Sequence, residues 1–275
     1  MTRPCAYNLT RREIHYRHEA FSSGLQEAGF DVRGAPPASV KRGDCLLIWN
    51  RYMQWHDLAS RFEAGGGTVV VAENGYVGPG GVSPVHMEPR SVYALARSYH
   101  NDAEVVPEGS GERWDALGVD LRPWRASGGH VLVCPNRSFG TPGRFMPSDW
   151  GEAVCRRLAK LTRREVRLRL HPGNNKPRKD LAEDLAGAWA VVIWSSSAGV
   201  HALVAGIPVI CEAGHWICKG AAGKLDQVEA PPMPERRPAF EQLARAQFSL
   251  QEIANGHAFS VVMNRDDVKN KTEAA

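Results

Sequence analysis

Apolar and polar positions alternate along this chain in the way that buried strands and their flanking helices require. Short apolar runs bounded by polar or glycine-rich segments recur, as in DCLLIW at 44–49, TVVVA at 68–72 and HVLVC at 130–134. Runs of this length, rich in β-branched residues, are typical of strands buried on both faces of a parallel sheet. Helical periodicity fills segments between them, for example 12–28 and 54–64. The pattern therefore predicts an α/β protein with doubly wound sheets.

The segment AVVIWSSSAGVHALVAGIPVICEA, residues 190–213, gives the clearest prediction of local structure. It predicts a buried strand, a serine turn, a helix ended by Gly206 and a second strand at 209–211, which is one βαβ unit. Hydroxyl groups and small residues at a helix start let an anion approach the backbone N–H groups. The serine turn is therefore a candidate diphosphate site, although serines also simply cap helices.

The 275 residues are enough for one large domain or two of ordinary size. A polar segment with prolines and several glycines, residues 103–128, separates two stretches of alternating strands and helices. We therefore expect an N-terminal Rossmann-like domain at 1–125 and a C-terminal Rossmann-like domain at 126–258 whose last helices pack back on the first domain. A polar tail is expected at 259–275.

Composition excludes several classes of protein. Apolar residues make up 43% and charged residues 23%, as in ordinary globular proteins. No apolar run approaches the roughly 18 residues that span a bilayer, and the N-terminus has no signal-peptide core. The six cysteines form no CxxC pair, so we expect reduced thiols in a cytoplasmic protein. The formal net charge of +4 permits an anionic partner such as DNA without requiring one.

Common catalytic and metal motifs are absent from the sequence. There is no GxGxxG, no GxxxxGK[ST], no GxSxG and no HExxH. No motif therefore supports a dinucleotide-dependent enzyme, a P-loop protein or a hydrolase. Cys211, His215 and Cys218 have a spacing that zinc could use, but no fourth ligand is evident and Cys211 belongs to an apolar run. We expect no metal site.

Polar residues follow several predicted strands, at the carboxyl ends where ligands gather in open α/β sheets. In the first half these candidates are Asn50, Arg51, Glu73, Asn74, Tyr76 and His100. In the second half they are Asn136, Arg137, Ser138, Arg169, His171, Ser195, Ser196, Ser197, Gly199 and Glu212.

Three of these candidates suggest specific chemistry. Glu73 directly follows a predicted strand, where partial burial can tune a carboxylate to accept a proton, although it is equally well a solvated turn residue. Arg169 and His171 flank one residue of a predicted strand and would share a face, where they could bind phosphate. An exposed strand end in a basic neighbourhood is the alternative for that pair.

The motifs HPG at 171–173, SSSAG at 195–199 and ALVAGIPVI at 202–210 resemble the nucleotide-sugar half of GT-B-type glycosyltransferases. The resemblance is greatest to the capsule-polysaccharide glycosyltransferases and to the phage enzymes that glycosylate modified DNA bases. It covers residues 131–212, under half the chain, and the N-terminal half is similar by architecture only. The resemblance implies a GT-B-like α/β fold, with two Rossmann-like doubly wound domains facing across a cleft.

The resemblance also implies a function. A sugar would move from a nucleotide-sugar, expected to be a UDP-sugar, to a hydroxyl of a 5-hydroxymethylated pyrimidine in double-stranded DNA, without a metal or another cofactor. Glu73 would be the base, the remaining candidates of the first half would bind the acceptor, and those of the second half would bind the donor. A phage-encoded protein would act in the host cytoplasm. Three alternatives stay open. The acceptor could instead be a surface polysaccharide or a lipid-linked sugar, as for a capsule-type glycosyltransferase. The chain could also be a non-catalytic nucleotide-sugar-binding module or a sugar-nucleotide epimerase of GT-B shape.

Overall fold

The computed structural model of this chain describes residues 3–81, 92–99, 109–137, 140–171 and 180–263. These residues form two compact units. The first comprises the described residues within Met1–Gly78, Ser83–Ser110 and Ala244–Ala275, and the second those within Pro79–Val82 and Gly111–Leu243. The sequence-based boundary at 125 and 126 placed residues 244–258 in the second domain, whereas their contacts place them in the first unit.

The first unit is built on a six-stranded sheet. The strands are β1 (Cys5–Asn8), β2 (Asp31–Arg33), β3 (Cys45–Trp49), β4 (Thr68–Asn74), β5 (Val92–Arg97) and β11 (Gln247–Ser249). Their order in the sheet is β11-β5-β4-β3-β1-β2, in which β1 to β4 are parallel, β5 is antiparallel to β4, and β11 is antiparallel to β5.

Helices cover both faces of this sheet because its strands alternate apolar side chains toward each face. On one face, Phe21 of α1 (His15–Glu27) and Phe259 of α9 (His257–Met263) pack with Leu47 and Val70. On the other face, α2 (Gln54–Ala64) packs against the sheet through residues such as Phe62. The short helix α8 (Leu250–Ala254) begins at a capping box formed by Ser249 and Glu252.

The second unit is built on a five-stranded parallel sheet of order β10-β9-β8-β6-β7. Its strands are β6 (His130–Cys134), β7 (Glu165–Leu168), β8 (Ala188–Ile193), β9 (Val209–Cys211) and β10 (Ala222–Gly223). The helices are α3 (Glu112–Asp115), α4 (Trp150–Leu161), α5 (Leu181–Leu185), α6 (Ala198–Val204) and α7 (Arg237–Arg245), whose last two residues belong to the first unit. In the described part of the chain, no helix is both long and apolar enough to cross a membrane.

Both sheets share one strand order. Counted along the chain within each unit, the first five strands of each lie in the order 2-1-3-4-5. In sheets of this order the chain reverses its direction of winding between strands 1 and 3, and ligands bind at the carboxyl ends beside that switch point. The switch points are β1 and β3 in the first unit and β6 and β8 in the second. The α/β fold class is confirmed, and it is consistent with a GT-B-like fold.

Candidate functional site

Two predicted donor-binding residues meet at the switch point of the second sheet. Asn136 lies two residues after β6, and Ser195 two residues after β8. The Asn136 Oδ1 accepts the backbone N–H of Ser195 at 3.0 Å, and its Nδ2 donates to the Ser195 Oγ at 3.3 Å. The two bonds fix the start of the serine turn at the strand ends where this sheet order places a ligand.

The serine turn presents backbone donors to the same edge of the sheet. The Ser196 Oγ accepts the N–H of Ala198 at 3.3 Å, and the Ser197 carbonyl accepts that of Val200 at 2.9 Å. Ser197 is the N-cap residue but its side chain makes no cap hydrogen bond. Among the described residues, the N–H groups of Ser196 and Ser197 have no hydrogen-bond partner. Because α6 has only seven residues, these two groups matter more for an anion than the helix dipole does.

A group of basic side chains lies beyond β6 and β7. Desolvation, followed by the positive charges of Arg137 and Arg169, lowers the pKa of His171 and so favours its neutral form. Arg169 forms an ion pair with Asp184, and its backbone N–H donates to the Val133 carbonyl at 2.8 Å. The strand ends at Leu168, earlier than predicted, so Arg169 and His171 follow the strand instead of sharing one of its faces.

Two residues of the predicted donor set have internal roles in the structure. The Glu212 carboxylate accepts the Trp150 Nε1–H and the Arg157 Nη1–H, each at 2.7 Å, which ties the end of β9 to α4. A Cβ at Gly199 would lie 2.6 Å from the Ile193 side chain and 2.7 Å from that of Trp216. A side chain at position 199 would therefore disturb the close packing of α6, and the Glu212 carboxylate already has two partners in α4.

The predicted acceptor residues Asn50 and Asn74 lie on neighbouring strands of the first sheet. Asn50 directly follows β3 and has a φ of 66°, and Asn74 is the last residue of β4. Among the described residues, the Oδ1 atoms of both are buried without a hydrogen-bond partner. Buried acceptors in this condition are uncommon in folded proteins.

Glu73 lies within β4, opposite Ala94 of β5, and not in a turn after the strand as predicted. It is partly buried. Since successive strand residues point to opposite faces, Glu73 shares the α2 face with Val71, whereas Asn74 points to the other face. The two side chains could reach a common ligand only beyond the end of the strand.

Arg51 is a structural residue, contrary to the acceptor-binding role predicted for it. Its side chain is 2% exposed, and it donates two hydrogen bonds to the Glu63 carboxylate at 2.8 and 2.7 Å. A third goes to the Ser98 carbonyl at 3.0 Å. Burial alone would raise the pKa of Glu63, but hydrogen bonds from Arg51 and Ser98 outweigh it and lower the pKa. The pair ties α2 to the sheet.

Tyr76, which was also predicted to bind the acceptor, is a core residue of the first unit. Tyr76 is buried, with 9% of its surface exposed, and its backbone N–H donates to Gln247 Oε1 at 2.9 Å. His100 of the acceptor set and Ser138 of the donor set lie outside the described residues.

Arg17 was not among the candidates predicted from the sequence. This residue of α1 is 3% exposed, and its guanidinium carbon lies 3.7 Å from the centroid of the Trp49 ring at the end of β3. It thus places a buried cation near the switch point of the first sheet. Its spacing from Phe21 and Leu25, four and eight residues on, puts it on the apolar face of the helix, which is the signal that could have revealed it.

In the described ranges, no group of three or more His, Cys, Asp or Glu side chains is arranged to hold a metal ion. The thiols proposed as possible zinc ligands, Cys211 and Cys218, are buried, and desolvation raises the pKa of Cys211 to about 12.

Comparison by sequence finds no matching family profile and no matching curated protein. Comparison by structure finds the Thermosulfurimonas dismutans KpsC beta Kdo 2,4 transferase, with a TM-score of 0.55 and 14% identity, over 90% of this chain and 91% of that chain. It also finds the KpsC beta Kdo 2,7 transferase of the same organism, with a TM-score of 0.53 and 14% identity, over 92% and 98% of the two chains. At this identity the likeness establishes a shared fold.

Proposed function

We propose that this chain is a glycosyltransferase that moves a sugar from a nucleotide-sugar to a hydroxyl of a saccharide acceptor. The observation that carries the proposal is the pair of hydrogen bonds between Asn136 and Ser195, which builds a turn with two open N–H groups at a switch point. A fold shared with two sugar transferases supports the same class of reaction.

The second unit would bind the donor. The N–H groups of Ser196 and Ser197 would donate to the phosphate oxygens, and Arg137 would offset the negative charge that grows on the departing nucleotide. Stabilising that charge is the main electrostatic requirement of sugar transfer. Neutral His171 would donate or accept one hydrogen bond without adding charge. These groups supply the stabilisation without a metal ion.

The first unit would bind the acceptor and supply the base. The Glu73 carboxylate would take the proton from the acceptor hydroxyl as its oxygen attacks the anomeric carbon and the nucleotide phosphate departs. The buried amide oxygens of Asn50 and Asn74 would accept hydrogen bonds from other acceptor hydroxyls. A saccharide, which offers several hydroxyl donors, suits such a set.

A saccharide acceptor replaces the modified DNA base that the sequence favoured. The two structural neighbours are named as Kdo transferases, and no described feature of this chain favours DNA. The mildly basic charge of +4 does not distinguish the two acceptors. The polysaccharide-type alternative therefore becomes the main proposal.

The direct test is a transfer assay with a panel of donors and acceptors. UDP-, GDP- and CMP-linked sugars would each be incubated with saccharide acceptors or with hydroxymethylated DNA, and nucleotide release and product mass measured with and without EDTA. We expect release that depends on a saccharide acceptor and survives EDTA. Transfer only to hydroxymethylated DNA would instead support the modified DNA base as the acceptor. Binding of a nucleotide-sugar without transfer to any acceptor would indicate the non-catalytic module.

A further inference from the structure

A second polar site lies at the opposite edge of the first sheet from Asn50 and Asn74. An open cavity of about 930 Å³, lined mostly by exposed residues, lies at the amino ends of β1, β2 and β3. Its lining includes the basic residues Arg3, Arg33, Lys41 and Arg42 and the acidic residues Asp31 and Asp44. We refer to it as the basic cavity.

Both carboxylates of the basic cavity already have partners within the protein. Asp31 pairs with Arg33 at 2.8 Å. Asp44 is 2% exposed and accepts the backbone N–H groups of Cys5 and Lys41, each at 3.0 Å. The four cations and two carboxylates leave an excess of two positive charges within the lining.

Three of the four cations are available to a ligand. Among the described residues, the side chains of Arg3, Lys41 and Arg42 have no ion-pair or hydrogen-bond partner. They come from two separate segments of the chain that converge on one cavity, which concentrates positive charge there. Such a group attracts an oxyanion, and arginine binds carboxylate and phosphate with paired hydrogen bonds.

The turn that carries two of these cations is fixed by the fold. The N–H of Asp44 donates to the Lys41 carbonyl at 3.0 Å, and Gly43 has a φ of 90°, which glycine adopts without strain. The Asp44 carboxylate closes the same turn through the Lys41 N–H. Lys41 and Arg42 therefore project from a backbone that is ordered before a ligand arrives, which lowers the entropic cost of binding.

The remaining wall suits an organic molecule better than a bare ion. Phe30, Val32 and Cys5 line the cavity and are each partly buried. Binding cavities for small organic molecules commonly have volumes of roughly 300–1,000 Å³, far more than one inorganic ion fills. We infer that the basic cavity binds a small organic anion bearing carboxylate or phosphate groups, at a site separate from the proposed transfer site.

Calorimetry on the full chain tests the inference with probes that differ in their charged group. Trigalacturonate supplies carboxylates, glucose 6-phosphate supplies a phosphate, and maltotriose is the neutral control. We expect at least one anion to bind saturably and maltotriose not to bind. Lys41→Gln/Arg42→Gln should weaken the binding about tenfold or more, whereas Arg61→Gln, which removes an exposed cation of α2 outside the cavity, should not. Anions that bind no better than maltotriose, or equally well to the double variant, would overturn the inference.

Alkylation of Cys5 provides a second readout on the unaltered protein. Cys5 lines the cavity, and Cys155 is a thiol of similar exposure in α4 of the second unit. The bound anion should slow alkylation of Cys5 and leave that of Cys155 unchanged, as measured by mass spectrometry. Saturable binding without protection of Cys5 would place the site elsewhere. Neither measurement involves sugar transfer, so a failure of this inference can be distinguished from a failure of the proposed function.

Discussion

The amide of Asn136 holds the backbone of Ser195 through a hydrogen bond of 3.0 Å, joining the ends of two strands that are adjacent in space but far apart in sequence. A second bond of 3.3 Å reaches the Ser195 hydroxyl. The pair stands at the switch point of the second sheet, so the conformation of the serine turn depends on a residue 59 positions earlier in the chain.

Replacing Asn136 should therefore weaken nucleotide binding. Asn136→Ala removes both hydrogen bonds to Ser195, and we expect about tenfold weaker binding of the nucleotide with a loss of stability of about 1 kcal/mol. Calorimetry and denaturant unfolding measure the two effects. Asn255→Ala is the control, because Asn255 makes a comparable local bond to the His257 N–H in the first unit. If folded Asn136→Ala binds the nucleotide as tightly as the wild type, the serine turn is not part of the donor site.

A side chain at position 199 should destabilise the protein, because α6 packs closely there. In Gly199→Ala the new Cβ would meet Ile193 and Trp216 at under 3 Å, and we expect a loss of about 1–3 kcal/mol in the free energy of unfolding. Gly220→Ala, in the same unit, is the control because no heavy atom lies within 4 Å of the Cβ position. Equal stability of the two variants would show that the Ile193 and Trp216 side chains move away from the new Cβ without a loss of stability.

The local elements of the fold were predictable, because they depend on apolar runs that lie within one stretch of sequence. The apolar run that begins at residue 190 predicted a buried strand, and β8 covers Ala188–Ile193. The three-residue strand β11 was missed, since its extended form depends on pairing with β5 more than 150 residues earlier.

The site was less predictable than the fold, because a side chain's partners are not visible in the local pattern. Arg51 follows a strand, as binding residues do, yet its partner Glu63 lies in the next helix. Glu212 is likewise occupied by Trp150 and Arg157. By contrast, the proximity of Asn136 and Ser195 could be predicted, because the carboxyl ends of neighbouring parallel strands lie at one edge of the sheet.

His201 in α6 should make stability depend on pH. Desolvation lowers its pKa from 6.5 to about 4, so the unfolded chain takes up the proton more readily than the folded chain. Stability should therefore fall as the pH drops from about 6.5 toward 4, by at most about 3 kcal/mol from this residue. His201→Gln should flatten that part of the profile in unfolding experiments, while His15→Gln, at an exposed position in α1, should not. An unchanged slope in His201→Gln would contradict this assignment.

Glu73 is the residue on which the proposed transfer depends most. Glu73→Gln keeps the shape and hydrogen-bonding capacity of the side chain but cannot accept a proton. Its loss as a base should lower kcat by roughly 100- to 10,000-fold. Donor affinity should hardly change, because the groups proposed to bind the donor belong to the second unit.

The most direct measurement is the kcat of wild-type protein and Glu73→Gln with a saccharide acceptor, together with calorimetric donor affinity for both. Glu13→Gln, in the loop before α1, controls for the loss of one carboxylate from the first unit. We predict a fall in kcat of at least about 100-fold in Glu73→Gln alone, with donor affinity unchanged. Turnover by Glu73→Gln at the wild-type rate would contradict the assignment of the base.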